Sequence, residues 1–345
     1  MSNREITGAS RRADALLAAF QRFIDDFPTA LPASAASSGS PAGLRTEAEA
    51  RSYPMLLSKS LSQQYASICA VRAPSVPMKR VYEEIHEMIN AIDLGIDPVR
   101  AKEQIQRKVN DLKNGLRRNK EGVVKHLMDM IDQDDVIVTF GESSRITEAL
   151  VNVAAMWKGR KAPFRVIVIG SRPKKSNENM LRRLVRESVP CTLAPLNALP
   201  YVMESATKAF ISATAMLING SAIADIGTAV VASACKTYNI PLIVVADTMK
   251  FSRDVELDSI SKNEINDPNS FRPASLAAIS SHSSMYSDEK WILEGFEKIE
   301  NLQLINLSYD LVPANLISAI VMQTSVIPAT SVPSILRERD IVKLQ

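Results

Sequence analysis

The sequence predicts an α/β protein: an N-terminal helical domain followed by a doubly wound, mostly parallel sheet. Three observations carry this. Over residues 47–130 apolar residues recur at three-to-four spacing, as in helices with one buried face. From Asp134 onward, short apolar runs alternate with helical stretches of about 10–15 residues, the pattern of βα units. The run at 242–246 is apolar on both faces, which suits a central strand covered by helices on either side. The sheet is therefore expected to be Rossmann-like.

In chain order, residues 13–26 fit a short surface helix. Residues 29–44 are rich in Ala, Ser, Pro and Gly and read as a flexible linker. The helical domain follows, ending in a long charged helix over 98–130 with one apolar stripe. The period then changes. Strands are expected at 136–140, 165–169, 192–194, 213–218, 242–246 and 303–306. Helices are expected at 144–157, 177–187, 199–208, 223–238 and 313–323. Asp134 and Asp135 precede the first strand and read as a solvated turn. The polar stretch 252–287 is long for a structureless loop. The expected divisions are 1–46, 47–130 and 131–345.

Composition narrows the function. The 345 residues carry 41 Lys and Arg against 38 Asp and Glu, too small a surplus to indicate a nucleic-acid binder. Cys69, Cys191 and Cys235 are widely spaced with no CxxC, so neither a disulfide framework nor a zinc site is expected. With three histidines in the chain, no metal or other cofactor is expected. No apolar run reaches membrane-spanning length. A reducing, cytoplasmic location fits.

Open α/β sheets bind ligands at the carboxyl ends of their strands. Four groups fall there: Gly141-Glu142-Ser143-Ser144, Gly170-Ser171-Arg172-Pro173, Asn219-Gly220-Ser221 with Gly227-Thr228, and Asp247 with Lys250 and Phe251. Ser143 and Ser144 open a helix and can hold a phosphate or simply cap it. Arg172 can clamp an anion or pair with Asp247. Asn219-Gly220 is also an ordinary turn signal. Nucleotide-loop, zinc-protease and serine-hydrolase motifs are absent.

Six groups stand in order: VIVTFGESS, VIVIGSRP, AMLINGSAIADIGTAVVASA, NIPLIVVADTMKF, NEINDP and NLSYDLVPANLISAIVMQTSVIPATSVPSILRE. They resemble the family shared by the regulatory subunits of eukaryotic translation initiation factor 2B and the isomerases of methylthioribose 1-phosphate and ribose 1,5-bisphosphate. The resemblance covers roughly residues 53–337. The delta-type pattern is nearest, on Thr248-Met249-Lys250-Phe251, residues 263–268 and Ile327-Pro328, although Asp247 stands where Glu is usual.

The resemblance implies a direct chemical test. Where the isomerases carry their cysteine this chain has Gly141, and where they carry their aspartate it has Thr214. Their phosphate-holding Asn-Lys pair is matched by Ala224-Asp225, and a glutamine by Ser176. What persists is Arg172-Pro173, Asn219-Gly220 and Gly227-Thr228. The family then implies a regulatory, non-catalytic subunit of the guanine-nucleotide exchange factor for initiation factor 2. Implied partners are the alpha, beta, gamma and epsilon subunits and factor 2 itself, especially its alpha subunit. Arg72 is a candidate contact for the phosphorylated partner, or a relic of the Arg-Gly-Ala-Pro phosphate group of the isomerases. An isomerase with displaced catalytic residues and a metabolite-binding regulator remain the alternatives.

Overall fold

The computed structural model describes residues 8–29, 42–93, 96–157, 164–170, 177–271 and 295–344. Most of the linker expected at 29–44 lies outside them, as do Arg172 and Ser176.

Four helices come first: α1 (Ala9–Asp26), α2 (Ala42–Val71), α3 (Val76–Asn90) and α4 (Pro98–Met128). Each of α3 and α4 starts with a proline at the first or second position, where no N–H is needed. Asp97 caps α4 by accepting from the Val99 and Arg100 amides. The amphipathic helix expected at the N-terminus is there, with one face exposed and the other buried in the helical core. Leu16, Leu17, Phe20 and Ile24 of α1 are buried against Tyr53, Leu61, Val81, Ile85 and Ile105. Their i, i+4 spacing gives α1 an apolar stripe, and a stripe that wide needs a partner. Phe20 meets Tyr65 and Tyr82 edge-on, and those two rings stack at 4.0 Å.

The sheet has seven strands: β1 (Val136–Phe140), β2 (Arg165–Gly170), β3 (Cys191–Pro195), β4 (Lys208–Ser212), β7 (Leu242–Val245), β9 (Ala319–Val321) and β10 (Val326–Ile327). Their order is β10-β9-β7-β4-β1-β2-β3, parallel except for the β10 edge. One face is covered by α5 (Ser144–Met156), α6 (Glu178–Arg186) and the end of α4. The other is covered by α7 (Leu199–Met203), α8 (Thr228–Thr237) and α9 (Val332–Leu344). A second sheet, β5 (Ala215–Met216), β6 (Ala222–Asp225) and β8 (Tyr309–Val312), is antiparallel.

Helix α4 ties the helical layer to the sheet. Ala101, Ile105 and Val109 lie in the helical core, whereas Val123, Val124 and Leu127 lie under the sheet. At 31 residues it is about 46 Å long, enough to reach both. It approaches the turn after β9 so closely that a Cβ on Gly122 would stand 2.5 Å from the Gln323 carbonyl oxygen.

Several expected elements are displaced. The helix expected at 199–208 ends at Met203; β4, Lys208–Ser212, was not expected, and of the strand expected at 213–218 only β5, Ala215–Met216, forms, in the second sheet. The helix expected at 223–238 begins only at Thr228, because β6 pairs with β8 and Gly227 takes φ +99° to turn the chain. The strand expected at 303–306 is replaced by β8. Residues 319–321, expected as helix, form β9 and complete the β7 edge. Asp135 is not solvated: it is buried and accepts from Lys208 Nζ at 2.8 Å and Thr207 Oγ1 at 2.6 Å. Helix α9 was not expected.

Candidate functional site

The parallel sheet opens at the carboxyl ends of β1 and β4 into a cavity of about 350 Å³. Its walls bring together Glu142, Ser143, Ser144 and Arg145 after β1, Ser212 to Thr214 after β4, Asp225 of β6 and Lys250. The first turn of α1, from Gly8 to Arg11, forms the remaining wall. Of the residues expected from sequence, Ser143, Ser144 and Lys250 meet here. Asn219, Gly227, Thr228 and Asp247 do not line it, and Arg172 lies outside the described residues.

Several of these have structural partners. Ser143 is the N-cap of α5, its Oγ accepting from the Ile146 amide at 3.4 Å. Asn219 closes the turn between β5 and β6 by accepting from the Ser221 amide at 3.0 Å. The Thr228 hydroxyl donates to the Asp225 carbonyl at 2.5 Å. Asp247 ends β7 and forms a buried ion pair with Arg145, not with Arg172. Arg145 also donates to Ser10 Oγ at 3.1 Å, so the pair ties α5, the end of β7 and α1 together.

Gly141 has φ +77°, and a Cβ there would meet the Asp225 carboxylate at 3.1 Å. The N-terminus of α8 is an anion seat by its geometry, with amides pointing out of the first turn. It is already occupied: Asp310 accepts from the Gly227 amide at 2.6 Å and from the Ala229 amide at 3.0 Å. No group of three or more His, Cys, Asp or Glu side chains is placed to hold a metal ion among the described residues.

Arg72 faces inward. Its guanidinium donates to both oxygens of Glu264, at 2.5 and 2.9 Å, and that bond raises its pKa. Ala73 and Pro74 line a second cavity of about 350 Å³, which shares Thr214 with the first. Arg12 of α1 reaches into the same place and donates to the Ala73 carbonyl; burial holds its pKa down.

Lys250 is the unusual cation. Its Nζ donates to the Ala213 carbonyl at 2.5 Å and to Ser212 Oγ at 3.1 Å. Burial, then the charge of Arg145, pushes its pKa from 10.5 down to about 7, against the opposing pull of Asp247 and Asp225. Unfolding returns the amine to water, so the unfolded chain binds more protons between about pH 7 and 10. Lys250 therefore makes the fold gain stability as pH rises through that window. Relative to a Lys250→Met variant, the wild-type chain is expected to gain stability from pH 7 to pH 9 in paired urea titrations. A difference independent of pH would show that the amine titrates as it does in water.

Sequence reasoning missed Arg145 and the α1 wall, whereas Asp225 was picked out at the position of the isomerases' phosphate-holding lysine and does line the cavity. Arg145 had a signal, since it follows Ser143 in the first turn after a central strand. The α1 contribution had none, because it arrives from more than a hundred residues upstream.

A family model for the initiation factor 2 subunit family matches residues 31–329. The chain is 35% identical over 238 residues to translation initiation factor eIF2B subunit delta of Dictyostelium discoideum, covering 69% of this chain and 36% of that relative. It is 26% identical over 339 residues to the subunit delta of Schizosaccharomyces pombe, covering 98% of this chain. The chain thus spans 36% and 66% of the lengths of these two relatives. Among solved structures, the tetrameric eIF2B-beta2-delta2 complex from C. thermophilum contains a chain that superposes with a TM-score of 0.70 at 18% identity, covering 94% of this chain and 88% of that one. At that identity the likeness establishes the fold.

Proposed function

This chain belongs to the initiation factor 2 subunit family, and on that premise we propose that it is a regulatory, non-catalytic subunit of the guanine-nucleotide exchange factor for translation initiation factor 2. In this reading it works in the cytoplasm, without a cofactor, assembled with the alpha, beta, gamma and epsilon subunits. It binds factor 2 chiefly through that factor's alpha subunit.

The observation that carries the non-catalytic part is the state of the crevice. Moving a proton between adjacent sugar carbons needs groups that titrate near the working pH. At the two positions the isomerases use, Gly141 has no side chain and the Thr214 hydroxyl is far too weak an acid; Lys250, which does titrate near neutrality, stands at neither of them and is held by the Ala213 carbonyl and Ser212 Oγ. A substrate phosphate needs cations or free amides. Asp225 stands where a lysine is needed, and Asp310 already holds the α8 amides. Both carboxylates repel a phosphate.

The helical domain, residues 47–130, supplies the sensing surface in this proposal. Helix α4 carries nine Lys or Arg against three acidic residues, a balance that favours an acidic partner. Arg100, Arg107, Arg118 and Lys125 are exposed and follow one helix face at intervals of seven and eleven. A phosphorylated protein surface matches that stripe in charge. Arg72 is not part of it, since Glu264 holds its guanidinium. An Arg107→Glu, Arg118→Glu variant is expected to assemble normally but to bind phosphorylated factor 2 about tenfold more weakly or worse. Unchanged binding of the phosphorylated factor by the assembled variant would exclude this face.

A further inference from the structure

The crevice wall includes one lysine to which the proposed function gives no role. Lys250 leaves the turn after β7 and lies under the end of β4, 3% exposed, yet it forms part of the cavity wall. Its two hydrogen-bond acceptors, the Ala213 carbonyl and Ser212 Oγ, are both neutral. A neutral amine has two N–H groups and one lone pair. With both N–H groups held, the lone pair is left for an electrophile. The charged groups around it are Arg145 from α5, Asp225 from β6 and Asp247 from its own turn. Of these, Arg145 opposes a second cation at the site, and burial opposes it more strongly. Lysines desolvated in this way are the ones that act as carbonyl nucleophiles.

The volume and lining limit what fits. A cavity of about 350 Å³ takes roughly ten non-hydrogen atoms, at about 30 Å³ for each water displaced. Ser144 and Thr214 present hydroxyls to it, and Asp225 a carboxylate. We propose that Lys250 is a carbonyl-capturing residue that forms an imine with a small hydroxy-aldehyde seated in this cavity. The amine lone pair attacks the carbonyl carbon and the C–N bond forms. The carbonyl oxygen takes up the two amine protons in turn and leaves as water as the C=N bond closes. Asp225, on the same wall, can relay those protons. The step consumes no oxidant or reductant, and it requires neither a cysteine nor a metal.

The test uses glycolaldehyde with sodium cyanoborohydride on the full chain. Each lysine adduct is quantified by peptide mass mapping between pH 6 and pH 9. Lys250 is expected to be labelled about tenfold faster at pH 7 than the exposed Lys108 and Lys125, because a far larger fraction of it is neutral there. Its labelling levels off above about pH 7, while that of the exposed lysines keeps rising. In Lys250→Met the fast adduct disappears and the Lys108 and Lys125 adducts do not change. Should that variant not fold, the wild-type map decides alone. A Lys250 that is unlabelled, or labelled no faster than Lys108 with the same pH profile, overturns the proposal.

Discussion

Replacing Asp247 with Ala is expected to lower the unfolding free energy by about 3–5 kcal/mol, the cost of leaving one partner of a buried ion pair uncompensated. The side chains of Arg145 and Asp247 are only 7% and 6% exposed. Among the described residues Arg145 Nε has no hydrogen-bond partner, so the guanidinium has little to fall back on there. The loss extends further, because Asp247 also accepts from the Met249 amide at 3.1 Å and so shapes the turn that carries Met249 into the helical core. Arg145→Met alone is expected to be similarly harmful. The double variant Arg145→Met, Asp247→Leu is expected to lie nearer wild type than either single one, since apolar pairs often replace buried ion pairs at little cost. Urea denaturation of wild type, Arg145→Met, Asp247→Leu and the double variant closes the cycle. A single-variant loss below about 1 kcal/mol, the range of surface pairs, would mean that the pair is solvated.

Gly220→Ala is expected to cost about 2–4 kcal/mol, from left-handed strain and overpacking together. Gly220 sits in the β5–β6 turn with φ +80°, and a Cβ there would stand 2.5 Å from the Ala329 carbonyl oxygen and 3.3 Å from Ala314 Cβ. The obstacle is backbone, so no rotamer change removes it. Gly295 provides the control: its φ is +76°, but among the described residues nothing lies within 4 Å of the added atom. Gly295→Ala should therefore show only the conformational part, about 1 kcal/mol. Equal losses at the two sites would show that the turn moves away from Ala329 freely.

How far the fold could be read depended on where each element finds its partner. β1, β2 and β7 are buried on both sides, and a continuous apolar run is enough to mark such strands. Residues 313–323 misled because Pro313 followed by Leu316, Ile317, Ile320 and Val321 has helical spacing. The free edge of β7 outweighed that local pattern and drew 319–321 into the sheet. Residues 222–225 likewise became a strand through β8, with Asp225 opposite Tyr309. In the site, Ser143, Ser144 and Lys250 were legible because they follow strands. Asp247 was placed correctly at a strand end, but its role is structural and its partner, Arg145, could not be inferred without the packing of α5. For Arg72 the sequence left a partner contact and a relic of a phosphate site side by side. Only the folded chain brings Glu264 beside it.

The crevice account and the family membership together make one claim that can be tested directly: the chain works inside a heteromeric exchange factor and has lost the isomerase chemistry. Native mass measurement of the protein purified from its own cells, with an isomerase assay on the same sample, addresses both halves. The expected result is a hetero-oligomer containing other subunits of the exchange factor, with no turnover of methylthioribose 1-phosphate or ribose 1,5-bisphosphate. A free homodimer that converts either sugar phosphate would contradict it.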